Sequence, residues 1–129
     1  SPPVSMNAEE NAAAESYSDV TELTLEDIEV GTGAEATTGD TVSVNYVGAL
    51  IDNTVFDASA NHGGPYTFRL GVDPVIEGWQ KGLIGMKEGG TRLLIIPASM
   101  GYGAQGNGPI PPNATLVFKV ELVSVVKGQ

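Results

Sequence analysis

Apolar and polar positions alternate with period two along most of this chain from residue 20 onward, and the phase of the alternation marks its strands. In "TVSVNYVG" (41–48), Val42, Val44 and Tyr46 fall on one face and Thr41, Ser43 and Asn45 on the other. "ATLVFKVELVSVV" (114–126) repeats the pattern through Leu116, Phe118, Val120 and Leu122 and is the longest predicted strand. "YTFRLG" (66–71) and "TRLLIIP" (91–97) read as two more. In "TELTLEDIEVG" (21–31), Leu23 and Leu25 share one phase and Ile28 and Val30 the other, which predicts a bulge near Glu26–Asp27. Only one segment changes period. Val75, Ile76, Trp79, Leu83 and Met86 recur at about 3.6 residues, so a short amphipathic helix is expected there, started by Asp73-Pro74 and stopped by Gly85 or Gly89. A lone amphipathic helix must bury its apolar face, and the face of the sheet is the available partner. The expectation is an α+β fold, mainly antiparallel β, with Trp79 between helix and sheet.

Residues 1–19 show no such period. "SPPVSMNAEENAAAESYSD" is rich in Ala, Ser, Asn, Glu and Pro and holds few large apolar groups, which predicts a flexible acidic arm or linker, with a fraying helix as a second reading. The folded domain is then residues 20–129. The chain does not begin with Met, which suggests a processed product or a trimmed piece. The compartment stays open: cytoplasmic, or extracytoplasmic if a signal or anchor once preceded the arm.

Composition narrows the chemistry. With no cysteine and one histidine, His62, there is no thiolate nucleophile, no disulfide and no multi-histidine metal site, and any Ser-His-Asp triad would have to use His62. The net charge is −10, and eight of the acids lie in residues 1–30 with no Lys or Arg among them. An acidic arm on a nearly neutral body lacks the basic face that nucleic-acid binding needs. No apolar run reaches the length of a membrane span.

The candidate chemistry lies in loops and rings. "GYGAQGNGPIPPNATL" (101–116) lacks the Gly-Lys-Ser/Thr ending of a phosphate loop. It is either a plain connection or a loop overhanging a pocket, with the Tyr102 hydroxyl and the Ile110 side chain at its edge. In "NTVFDAS" (53–59), Asp57 beside Phe56 is either a solvated turn residue or a partly buried carboxylate needing a donor, for which Tyr46 and His62 are candidates. Of eight aromatic residues, seven fall in the folded part, and they either form the core or line a site.

These motifs occur together in a recognisable order. "VNYVG", "FDAS", "VIEGWQKGL", "GYGAQG" and "IPPNATLVFKVEL" resemble, in order and spacing, the FKBP-type peptidyl-prolyl isomerases over roughly residues 20–129. The resemblance implies a twisted five-stranded antiparallel sheet wrapped around one short helix, with the pocket between them. Carried over by motif, that pocket is formed by Tyr46, Phe56, Asp57, Tyr66 and Phe68, then Val75, Ile76 and Trp79, and finally Tyr102, Ile110 and Phe118. Trp79 would be the floor under a substrate proline ring. The implied catalytic group is Asp57, Tyr102, Ile76, Tyr46 and Phe56.

Two departures accompany the resemblance. Many relatives carry an arginine where His62 falls, orienting the Asp57 carboxylate and Tyr46 hydroxyl. The loop "QGNGPIPP" is one residue shorter than in well-known eukaryotic members, with Asn107 where histidine is common. The implied reaction is rotation about X–Pro bonds in peptides and unfolded proteins, with no metal and no cofactor. Tacrolimus and rapamycin are the implied inhibitors, and a monomer the implied state. A module of the same fold that binds proline-containing peptides without turnover is the rival reading.

Overall fold

The computed structural model describes residues 22–51 and 54–128 of the 129-residue chain. The predicted arm, residues 1–19, lies outside them. Six strands form one antiparallel sheet: β1 (Thr24–Glu29), β2 (Thr41–Leu50), β3 (Val55–Ala58), β4 (Tyr66–Arg69), β5 (Thr91–Ile96) and β6 (Leu116–Val126). The order is β1-β5-β6-β2-β3, with β4 also pairing β2. The sheet is therefore five places wide, because β3 and β4 share one edge of β2. Val47–Ala49 of β2 pair with Val55–Ala58, and Thr41–Val44 pair with Tyr66–Arg69. The sixth strand is β3, which the sequence pattern did not mark.

The predicted alternation governs burial. Val42 and Val44 are fully buried and Tyr46 is 7% exposed, while the residues between them are half-buried. Paired residues on antiparallel strands share a face. Tyr46 pairs with Val120, Gly48 with Phe118 and Leu94 with Phe118, so one concave surface carries them all. The bulge in β1 falls between Asp27 and Glu29, one residue beyond its predicted place.

The helix, α1 (Glu77–Gly82), is shorter than its apolar spacing implied. Ile76, with φ −59° and ψ 150°, is its N-cap residue, so Val75 and Ile76 form an extended lead-in. Both of its glycines touch the sheet. A Cβ on Gly78 would lie 2.6 Å from the Ile96 side chain, and one on Gly82 would lie 2.6 Å from that of Leu94. One turn apart on the same face, they let the helix backbone settle on β5. The helix-propensity cost of glycine, roughly 1 kcal/mol each, is accepted because any side chain there would hold Trp79 off the sheet. Among the described residues, no helix is long and apolar enough to cross a membrane.

Candidate active site

Trp79 is 3% exposed and sits where α1 meets the concave face. Tyr46 and Phe118 meet it edge-on, with ring centroids 5.1 and 5.3 Å away, in the geometry aromatic quadrupoles favour. Phe68 and Tyr66 stand at 5.8 and 6.3 Å. The Trp79 Nε1–H is buried without a hydrogen-bond partner. Above these rings opens a hollow of about 210 Å³, lined by Tyr46, Phe56, Asp57, Tyr66, Pro74, Val75, Ile76, Trp79, Tyr102 and Phe118.

Nine of the eleven residues expected at the pocket line this hollow. The other two lie behind it. Phe68, 2% exposed, stacks on Tyr66 and backs Trp79, and Ile110, 5% exposed, joins the core. Ile110 pins the loop that carries Tyr102: Asn107 and Ile110 exchange backbone hydrogen bonds of 2.9 and 2.8 Å, and the Asn113 N–H donates to the Gly103 carbonyl. Two contributors were missed from sequence. Pro74, read only as helix punctuation, lines the hollow. Gly48 makes room for its rings, since a Cβ there would stand 2.6 Å from Phe118 and 2.8 Å from Phe56. The motif "VNYVG" contained Gly48, and only its pairing with Phe118 shows why a side chain is excluded.

Polar groups cluster on one wall. The Tyr46 hydroxyl donates to Asp57 Oδ2 at 2.8 Å, and the Ala58 N–H donates to Oδ1 at 2.9 Å. His62 Nε2 lies 2.7 Å from the same Oδ1. A short 3₁₀ turn, Ser59–His62, brings His62 back over Asp57, and Gly63 ends it at φ 87°, in the left-handed region. The turn is fastened to β2 through Ser59, whose Oγ accepts the Tyr46 N–H at 3.0 Å. Burial first, and then the hydrogen bond to Asp57, push the Tyr46 hydroxyl well above its ordinary pKa, so it stays a donor throughout the physiological range. On the opposite wall, the Ile76 N–H and the Tyr102 hydroxyl make no hydrogen bond within the described residues.

A sheet clasping one short helix over an aromatic hollow defines a class of protein, and comparison with known proteins agrees. The profile of the FKBP-type peptidyl-prolyl cis-trans isomerases matches residues 33–123. The FK506-binding protein of Neisseria meningitidis serogroup A is 52% identical over 104 residues, covering 80% of this chain and 95% of that protein. The peptidyl-prolyl cis-trans isomerase FKBP15-2 of Arabidopsis thaliana is 51% identical over 92 residues, 70% of this chain and 56% of its own. Among solved structures, FkpA from Escherichia coli superposes with a TM-score of 0.78 at 41% identity, covering 95% of this chain and 62% of that one. AtFKBP13 gives 0.75 at 40% identity, covering 79% and 91%. The chain belongs to the FKBP-type peptidyl-prolyl cis-trans isomerase family. Its reaction is the rotation of the peptide bond that precedes proline.

Proposed function

We propose that the hollow over Trp79 seats the proline ring of an X–Pro segment and that Ile76 and Tyr102 hold its carbonyls. The observation that carries this reading is an open, aromatic-lined hollow with a buried indole floor and two unengaged donors on its wall. Pockets for drug-sized ligands run from about 300 to 1,000 Å³. At about 210 Å³ this one takes a single ring and leaves the flanking peptide on the surface. Unfolded or extended chains supply such segments.

The barrier to rotation, about 18–20 kcal/mol, comes from amide resonance. No bond breaks, so the reaction needs neither nucleophile nor metal. The twisted bond has lost conjugation and its carbonyl is less polar than in the planar form. Tyr46, Phe56, Trp79 and Phe118 disfavour the polar planar state relative to the twisted one, which is differential binding of the transition state. The Ile76 N–H and Tyr102 hydroxyl orient the substrate, and Asp57 faces the carbonyl carbon of the rotating bond. Lowering the barrier by about 6 kcal/mol gives on the order of 10⁴-fold acceleration. Macrolides such as tacrolimus and rapamycin would place one ring on the same floor.

The test is a protease-coupled isomerisation assay on Ala-Leu-Pro and Ala-Phe-Pro peptides, with Trp79 fluorescence followed during tacrolimus titration. Catalysis and quenching are expected in the parent protein, and catalysis should be lost in Trp79→Ala, whose loss of tacrolimus binding is read by calorimetry because the chain's only tryptophan is gone. Activity at the uncatalysed rate with quenching retained would establish a binding module instead.

A further inference from the structure

One edge of β2 changes partner partway along. β4 pairs with Thr41–Val44 and β3 with Val47–Ala49, and Asn45 and Tyr46 fall in the gap between them. Among the described residues no strand faces the backbone there, and Ser59 takes the place of one. Its Oγ accepts the Tyr46 N–H at 3.0 Å. Its hydroxyl proton has the Tyr46 carbonyl at 3.3 Å and Asn45 Oδ1 at 3.4 Å as acceptors. One side chain thus does for Tyr46 what a paired strand residue does with its carbonyl and N–H. Ser59 is 2% exposed, so water cannot replace these bonds. Its own carbonyl accepts the Gly63 and Gly64 N–H groups, the latter at 3.2 Å, which closes the 3₁₀ turn.

We propose that Ser59 is a positioning residue for the isomerase reaction, holding the Asp57 carboxylate against the Tyr46 hydroxyl. The inference rests on the function proposed above. Asp57 lies two residues before Ser59 and His62 three after it. Tyr46 is the residue whose backbone Ser59 holds. Both ends of the 2.8 Å bond from Tyr46 to Asp57, and the 2.7 Å approach of His62, are therefore referred to one oxygen at the edge of β2. Removing that oxygen leaves the buried Tyr46 N–H without its acceptor and frees the turn to shift. Misplacing a positioned group by about 1 Å costs up to roughly a hundredfold in rate. Ser59 does not line the hollow, so it acts only through its neighbours. Trp79 lies on α1, Ile76 caps it and Tyr102 lies in a separate loop, so seating of the substrate does not depend on Ser59.

The test is a mutant cycle with one Ala-Leu-Pro peptide. Ser59→Ala should lower kcat about fivefold or more and leave KM within about twofold, the pattern of an interaction lost in the transition state. In the Asp57→Val background the same substitution should cost nothing further, because residues acting through one group are not additive. The Tyr46 amide proton should exchange faster with solvent in Ser59→Ala than in the parent. Ser59→Cys, whose sulfur is a weaker acceptor, should fall between the two and carries the cycle if Ser59→Ala does not fold. An unchanged kcat in Ser59→Ala would overturn the proposal, as would an unchanged rate of Tyr46 amide exchange. So would an equal loss on top of Asp57→Val, which would make Ser59 a support of the fold alone. A parent protein without activity would instead overturn the function on which the inference rests.

Discussion

His62 Nε2 and Asp57 Oδ1 stand 2.7 Å apart at the rim of the active-site hollow, five residues apart in sequence. The same carboxylate accepts the Tyr46 hydroxyl through its other oxygen. His62 thus stands over the carboxylate whose orientation the family resemblance assigns to an arginine in many relatives. It is the more exposed partner, with 63% of its side chain open to solvent against 36% for Asp57.

An arginine presents a planar fork of donors, whereas His62 meets Asp57 through one ring nitrogen. The kcat/KM of His62→Ala should therefore fall below the parent's, and that of His62→Arg should match or exceed it. The check is the three values measured with one peptide. Equal values would show that His62 does not act through Asp57. Thermal stability should barely change, because exposed ion pairs contribute about 0–1 kcal/mol.

Asp57→Val removes the carboxylate from the site and also leaves the Tyr46 hydroxyl without its acceptor. Turnover should fall about tenfold or more, equivalent to roughly 1.4 kcal/mol of transition-state binding. Stability should fall by about 1–3 kcal/mol through the unpaired, largely buried donor. The double variant Tyr46→Phe/Asp57→Val separates the two effects. It should regain stability without regaining turnover. An unchanged rate in Asp57→Val would remove Asp57 from the mechanism.

Gly48→Ala tests whether Phe56 and Phe118 need the space left over β2 by the missing side chain. The new methyl would stand 2.6 Å from Phe118 and 2.8 Å from Phe56, too close for either ring to stay in place. Overpacking of this kind costs about 1–3 kcal/mol. The rings turn into the hollow, so Kd for tacrolimus should rise by an order of magnitude or more while the fold persists. Titration by Trp79 fluorescence reads the first effect and chemical denaturation the second.

Much of this architecture was legible because one face of each long strand is buried, and burial imprints period two. Val42–Tyr46 and Leu116–Leu122 show it directly. What escaped depended on partners distant in sequence. β3, four residues long, is too short to show a period and becomes a strand by pairing Asp57 with Gly48. The spacing Val75–Ile76–Trp79 reported which residues face the core, but the helix begins only after Ile76. The run Leu93–Ile96 is apolar on both phases because both faces of β5 are covered, a signal that simple alternation does not capture. At the site, the aromatic residues and Asp57 could be named from motifs. His62 could be named as a candidate partner of Asp57, but not the 3₁₀ turn that folds its side chain back onto the carboxylate.

A last prediction concerns how the start of β2 is tied to the end of β6, its neighbour in the sheet. Asp40, 2% exposed, accepts the Gly128 N–H at 2.9 Å, the Lys127 ammonium at 2.6 Å, and the Thr37 N–H and hydroxyl, both at 2.9 Å. The Gly128 N–H and then Lys127 hold its carboxyl well below the usual carboxylate range, against burial, which acts the other way. A carboxyl whose pKa is depressed by folding stabilises the protein above its unfolded pKa of about 3.9, and that contribution is lost as pH falls toward the folded value. The parent protein should therefore lose stability steadily below about pH 4. Asp40→Asn should be less stable than the parent at pH 7 and should show a shallower decline in acid. Denaturation midpoints measured across that range decide the matter, and parallel curves for the two proteins would show that Asp40 does not govern acid unfolding.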